Sequence, residues 1–286
     1  MQVKKSGPLM IVLAAILFSC MAACIKAVSP RISVAESVFF RSLVPSIAFG
    51  FLMVRERLSF RTSHFPLLLT RSLLGLLAMS CKFYALGHLA LGDTAILGST
   101  FPIFVVLFAS FFLSEKITGG LMFWILVALG GVGLILQPQF EFLNYAGLIA
   151  LLSSALTALV VTVIHQLRQI EKATRIIFYF SVTCLLVSLP VMLQDFVWPD
   201  ARELSFLLVA GGLATLGQFL ITYAYGLEEI SKLSPLSYAG ILTSFILGII
   251  FWHEVPTWEA IVGGLVVVLC CVRIIRMRKP EPIIPV

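Results

Sequence analysis

The chain has 286 residues and a formal net charge of +6, yet 60% of it is hydrophobic and only 12% is charged, about half the charge of a soluble domain (roughly 25%). A soluble protein of that composition could not cover its surface with polar groups, whereas lipid removes the need. The basic excess does not point to nucleic acid, because Lys and Arg are scattered through short connectors and build no basic face or aromatic–basic groove.

Apolar runs of about twenty residues recur along the chain, each long enough for a hydrocarbon core of roughly 30 Å. Lys4 and Lys5 precede the first, over 8–28. It is longer than a signal-peptide core and reads as an uncleaved helix. Ala15, Ser19 and Ala23 form a small-residue stripe on it, suited to close helix packing, and Lys26 lies near its end. The second run, 34–54, carries Glu36 and Arg41 toward one end. Five residues apart, they diverge by about 140° and must find partners elsewhere.

The third run, 65–87, holds Arg71 and Lys82. Eleven residues apart, they differ by about 20° and share a helix face, with Gly75 and Ala78 leaving space between them. The fourth, 92–113, begins at Asp93 and contains Pro102. The fifth to seventh cover 118–136, 145–164 and 174–194. The eighth, 204–226, places Thr215, Gln218, Thr222 and Tyr225 on one polar face. The ninth, 232–252, contributes Ser234, Pro235 and Tyr238, and the tenth covers 257–275. The six cysteines all fall inside apolar runs without the spacing of a zinc site, and read as small buried hydrophobes. The connectors leave no room for a soluble domain, so residues 1–286 read as a single membrane domain.

Charge orients the chain. With the N-terminus cytoplasmic, fourteen Lys and Arg fall on the cytoplasmic side and only Arg31 and Arg202 on the other, a strong positive-inside bias. The shift that lays Tyr84-Ala85-x-Gly87 on Tyr223-Ala224-x-Gly226 also lays Glu115 with Thr118 on Glu254 with Thr257. The chain thus divides into two five-helix halves, 8–136 and 145–275. Five is odd, so the second half enters from the opposite side. The fold class expected is an all-α integral membrane protein of ten transmembrane helices, arranged as two inverted repeats. Such repeats commonly hold a substrate near the midplane where the halves meet.

The run from Arg71-Ser-Leu-Leu-Gly75 through Tyr84-Ala85 to Leu91-Gly92-Asp93-Thr94-Ala95, with Phe101-Pro102, Leu113-Ser-Glu115-Lys116-Ile-Thr118 and Gly130-Gly131-Val-Gly133, resembles the EamA-type drug/metabolite transporter superfamily. The second half repeats the pattern more loosely in Tyr223-Ala224, Pro235, His253-Glu254 and Gly263-Gly264. The resemblance implies a secondary-active transporter working by alternating access without ATP, with no cofactor. It also implies a bacterial inner membrane and both termini cytoplasmic. The family's substrates range from amino acids and drugs to nucleotide sugars, so no substrate follows. Lys82 departs from the family, which usually has an apolar residue there, whereas Arg41 matches a position where the family often keeps Arg.

Ionisable groups within a bilayer are costly and need a reason. Arg71 and Lys82 either line a cavity that meets a carboxylate or phosphate, or act structurally. In the second case Arg71 snorkels to the cytoplasmic boundary or caps backbone carbonyls, and Lys82 snorkels outward or pairs with Glu36. The substrate-binding candidates are Lys82, Arg71, Tyr84, Gln218, Thr222, Tyr225 and Tyr238. Glu36, Arg41, Pro102 and Pro235 are candidates for coupling or gating. Glu36 is the carboxylate best placed for protons, unless it is a boundary residue in a salt bridge. The expected activity is transport of a small metabolite with a carboxylate or phosphate, such as an amino acid, coupled to H+ or Na+, by a monomer or homodimer. The competing reading is efflux of cationic or amphipathic compounds through an aromatic-rich cavity. An enzyme is disfavoured by scattered histidines and by the lack of HExxH, G-x-S-x-G and P-loop patterns. A channel is disfavoured by the lack of a filter or charged ring.

Overall fold

The computed structural model describes residues 7–113, 119–136, 145–227 and 233–277. The described residues form α1 (Gly7–Val28), α2 (Val34–Arg55), α3 (Phe65–His88), α4 (Leu91–Gly98), α5 (Phe101–Leu113), α6 (Gly119–Leu136), α7 (Tyr145–Ile170), α8 (Ala173–Met192), α9 (Ala201–Ala224), α10 (Ala239–Trp252) and α11 (Trp258–Met277), with a 3-10 turn (Ser234–Tyr238) leading into α10. Among them α1, α2, α3, α7, α8 and α9 are each long and apolar enough to cross a membrane alone. The remaining crossings are α6, α11 and two broken segments, α4 with α5 and the 3-10 turn with α10.

Both broken segments are interrupted at repeat-equivalent places. Ser99 and Thr100 part α4 from α5, and their repeat equivalents, Tyr238 and Ala239, are where the 3-10 turn passes into α10. The sequence reading had continuous helices there, kinked by Pro102 and Pro235. Pro102 sits in the first turn of α5, where its missing N–H is harmless. Pro235 occupies the start of the 3-10 turn. The sixth helix runs to Ile170 rather than ending near 164. Its last turns carry Gln166, Arg168 and Gln169, polar residues that a hydropathy reading assigns to a connector although helical hydrogen bonding continues through them.

The packing obeys the repeat. The shift that lays Tyr84 on Tyr223 exchanges α1 with α7, α2 with α8, α3 with α9, α4 with the turn, α5 with α10, and α6 with α11. The α1–α9 pair has its counterpart in α3–α7, α2–α9 in α3–α8 and α1–α10 in α5–α7, while α2–α8 and α6–α11 map onto themselves. This is the signature of a pseudo-two-fold axis between inverted halves. At the α6–α11 seam a Cβ on Gly131 would lie 2.9 Å from the Gly263 carbonyl oxygen, so only glycine lets these backbones approach. Glu115 and Thr118, used to align the halves, lie outside the described residues, as does Lys116.

Candidate functional site

A cavity of about 270 Å³ lies between the halves, lined from α1 to α5, from α7 to α9, and from the turn and α10. That is close to the lower end of ligand pockets, about 300–1,000 Å³. Arg41 of α2 and Arg71 and Lys82 of α3 all reach it, and among the described residues no Asp or Glu lines it. Arg71 is 1% exposed and Arg41 3%. Their guanidinium carbons lie 3.8 Å and 5.4 Å from the centroid of one ring, Phe180 of α8. Cation–π contact of this kind offsets about 0.5–2 kcal/mol, less than the cost of one charge in the bilayer, about 2.5–3.5 kcal/mol. Arg41 Nε and Arg71 Nε and Nη1 are buried without a hydrogen-bond partner, and among the described residues none of the three cations has a carboxylate within ion-pair distance.

Local sequence explains the arrangement. Gly75 lies one turn after Arg71 on the cavity face. A Cβ there would sit 2.8 Å from Phe180 and 3.2 Å from Arg71 Nη1, so glycine makes room for the stack. All three cations come from the first half. Their repeat equivalents in the second half are Phe180, Ala210 and Ile221. That half supplies uncharged polar lining instead, including Ser153, Thr157, Gln218 and Ser244. On that side Ser19 Oγ donates to the Gly240 carbonyl at 2.8 Å and accepts from Ser244 Oγ at 3.1 Å.

The two ends of the protein are tied across the halves. At the C-terminal end of α1, Lys26 Nζ lies 2.6 Å from Glu254 Oε1 and also donates to the Leu89 carbonyl. Glu254 Oε2 accepts from the Leu91 backbone N–H at 2.8 Å, so one carboxylate joins α1, the start of α4 and the end of α10. Nearby, Arg31 reaches Glu203 at 2.9 Å and the Trp198 carbonyl at 3.1 Å. At the other end Glu171, in the α7–α8 connector, binds Thr62, His64 and Arg175. Burial alone would raise this carboxyl, but those hydrogen bonds and the Arg175 charge hold it below the ordinary range.

The candidates read from sequence divide clearly. Lys82, Arg71, Gln218, Tyr225 and Arg41 line the cavity together. Arg71 does not snorkel to a boundary; it is buried against Phe180. Lys82 does not pair with Glu36. Glu36 instead forms the capping box of α2 with Ser33 and accepts the Val197 N–H at 3.0 Å, away from the cavity lining. Thr222 is fully buried and accepts from Gln218 Nε2 at 3.2 Å, standing behind the lining. Tyr84 is 37% exposed and stacks on His88 at 4.3 Å; two residues from Lys82 is about 200° around the helix, the opposite face. Tyr238 packs in an apolar cluster with Leu97, Ile241 and Val267, Pro102 is buried outside the lining, and Pro235 is placed by its backbone alone.

Two features escaped the sequence reading. Phe180 is one of 23 phenylalanines and carries no local signal. The Lys26–Glu254 tie was within reach, since Lys26 was noted as an intramembrane charge and Glu254 as a repeat-matched helix end; only the topology joins them.

The model of the EamA-like transporter family matches the chain twice, over residues 5–137 and 144–276, two stretches related by the same shift that lays Tyr84 on Tyr223. The chain is 36% identical over 278 residues to the pseudopaline exporter CntI of Pseudomonas aeruginosa, covering 96% of this chain and 98% of that one. It is 25% identical over 257 residues to an S-adenosylmethionine uptake transporter of Rickettsia conorii, covering 89% and 87%. A protein crystal structure with 17% identity superposes with a TM-score of 0.64 over 96% of both chains, a likeness of fold. Two family matches spanning nearly the whole chain, on a two-fold helical scaffold around a central cavity, establish that this chain belongs to the EamA-like transporter family of the drug/metabolite transporter superfamily and is a multi-pass membrane transporter of a small molecule.

Proposed function

We propose that this transporter carries an anionic small metabolite, bearing carboxylate or phosphate, out of the cytoplasm by alternating access. The observation that carries the reading is the cavity itself: three cations and, among the described residues, no lining carboxylate. Unpaired intramembrane charge is costly and is retained for function, and guanidinium groups match carboxylate and phosphate oxygens in pairs. An outward direction is supported by the relative named as an exporter, which is 36% identical. The positive-inside bias supports cytoplasmic termini, and the bacterial relatives support a bacterial inner membrane. In this conformation the Lys26–Glu254 tie closes the outer end, and opening it exposes the cavity to the far side. Coupling to H+ or Na+ would drive the cycle, and the ten-helix inverted repeat suffices as a monomer.

Flux of radiolabelled glutarate in proteoliposomes tests the proposal. Saturable glutarate transport that falls at least ten-fold in Arg41→Gln or Arg71→Gln is expected. Normal glutarate transport by both variants, or transport restricted to cationic amphipaths, would overturn it.

A further inference from the structure

The three cations are spaced too widely for a single carboxylate. Arg41 and Arg71 flank one ring, so their guanidinium carbons are no more than about 9 Å apart. Lys82 stands eleven residues beyond Arg71 on the same helix, so its backbone lies about 16 Å further along the axis, and the long side chains bring the charges to one cavity. The oxygens of one carboxylate span roughly 2 Å, which suits one bidentate arginine contact. A monoanion would leave two of the three charges uncompensated in a cavity between the packed halves, where their mutual repulsion is less screened than in bulk water. Among the described residues the opposite wall carries no charge and offers Gln218, Ser244, Ser153 and Thr157 beside Ile221. The cavity is therefore polarised, cationic on the first half and neutral hydrogen-bonding on the second.

We infer that the transported molecule carries two or three anionic groups on one side and an uncharged hydrogen-bonding or aliphatic part on the other, the anionic groups meeting the Arg41–Arg71 pair and Lys82. This rests on the anion-carrier reading and narrows it. Because guanidinium and ammonium groups accept carboxylate and phosphate alike, the class is defined by charge number and spacing, and the probes distinguish the two chemistries.

The test is a binding series on one carbon skeleton: butyrate, glutarate and propane-1,2,3-tricarboxylate, with 3-phosphoglycerate as the phosphate-bearing probe. Affinities are measured on the purified full chain at fixed ionic strength, so that screening is constant. The tricarboxylate should bind at least ten-fold more tightly than glutarate, and glutarate at least ten-fold more tightly than butyrate. Lys82→Gln should erase the step between tricarboxylate and dicarboxylate while keeping the step to butyrate, a readout that a misfolded variant would not give. Equal affinity for butyrate and the tricarboxylate overturns this inference and leaves the anion reading standing. Absence of binding by all four anions up to 10-millimolar order, beside binding of a cationic amphipath, overturns both. Tighter binding of 3-phosphoglycerate, itself close to a trianion near neutral pH, than of the tricarboxylate assigns phosphate to one of the anionic positions; the reverse assigns carboxylates throughout.

Discussion

Replacing Lys82 by Met should make the empty transporter more stable and the loaded one weaker. Met keeps nearly the length and volume of the lysine stem, so little packing is lost. It removes one of the three cations that, among the described residues, face the cavity with no lining carboxylate. The insertion cost of a lysine at a helix centre, about 2.5–3.5 kcal/mol, is an upper bound on the gain, because cavity water solvates part of the charge. A gain of about 1 kcal/mol corresponds to roughly 2–4 °C in Tm for a chain of this order of size. A ligand at 100 times its Kd adds about 2.7 kcal/mol to a protein that binds it. Thermal unfolding in detergent should therefore give two orders: Lys82→Met above wild type without ligand, wild type above Lys82→Met with propane-1,2,3-tricarboxylate. A lower Tm for ligand-free Lys82→Met, in protein that remains monodisperse, would refute the reasoning, since Lys82 would then hold a contact the fold needs.

Glu254→Gln leaves an acceptor for the Leu91 N–H but strands the Lys26 charge; breaking a partly buried pair of this kind costs about 3–5 kcal/mol. The outer end should open, raising the labelling of Cys24 by a membrane-impermeant thiol reagent applied from outside, and unchanged labelling would show that the pair does not hold that end. Gly75→Ala pushes on Phe180 and Arg71, which a Cβ would approach to 2.8 and 3.2 Å. Isothermal calorimetry should then register weaker tricarboxylate binding, whereas unchanged affinity would remove Phe180 from the site. Glu171 has a folded-state pKa below its ordinary value of 4.5, so its stabilisation is complete above that value and is lost as pH falls through the lower, folded pKa. Wild-type Tm should drop more steeply than that of Glu171→Gln below about pH 4.5, and parallel curves would show the network to be neutral in stability.

Helix number, inversion and the face shared by Arg71 and Lys82 were legible because each rests on periodicity or charge placement, which lipid enforces strongly. The break between α4 and α5 was half legible. Pro102 signals trouble with helical hydrogen bonding, but the interruption falls at Ser99–Thr100, and Thr100 Oγ1 bonds the Leu97 carbonyl and Ser154 Oγ instead. Glu36 misled the reading because a buried carboxylate near a helix start looks the same whether it moves protons or caps the backbone. Its capping partner Ser33, three residues earlier, was visible in the sequence and is the signal that separates the two. Tyr84 was drawn in by its motif against its helical angle. Phe180 could not be found without knowing that α2 and α8 face each other across the pseudo-two-fold axis, where it is the repeat partner of Arg41.

The one-sided placement of Arg41, Arg71 and Lys82 also gives the molecule an electrical character. In the alternating-access cycle proposed above, the three charges would move together as the halves rock, and an empty carrier would move them uncompensated. A unit charge crossing a membrane held at 100 mV exchanges about 2.3 kcal/mol, so three charges displaced through a tenth of the field would exchange about 0.7 kcal/mol. In a cell negative inside, that energy would draw the empty carrier toward the cytoplasm-facing state, where a metabolite would load. A trianion would cancel the charge, and the loaded carrier would cross indifferent to the potential. The membrane voltage would then act on the return stroke alone, resetting the transporter after each release.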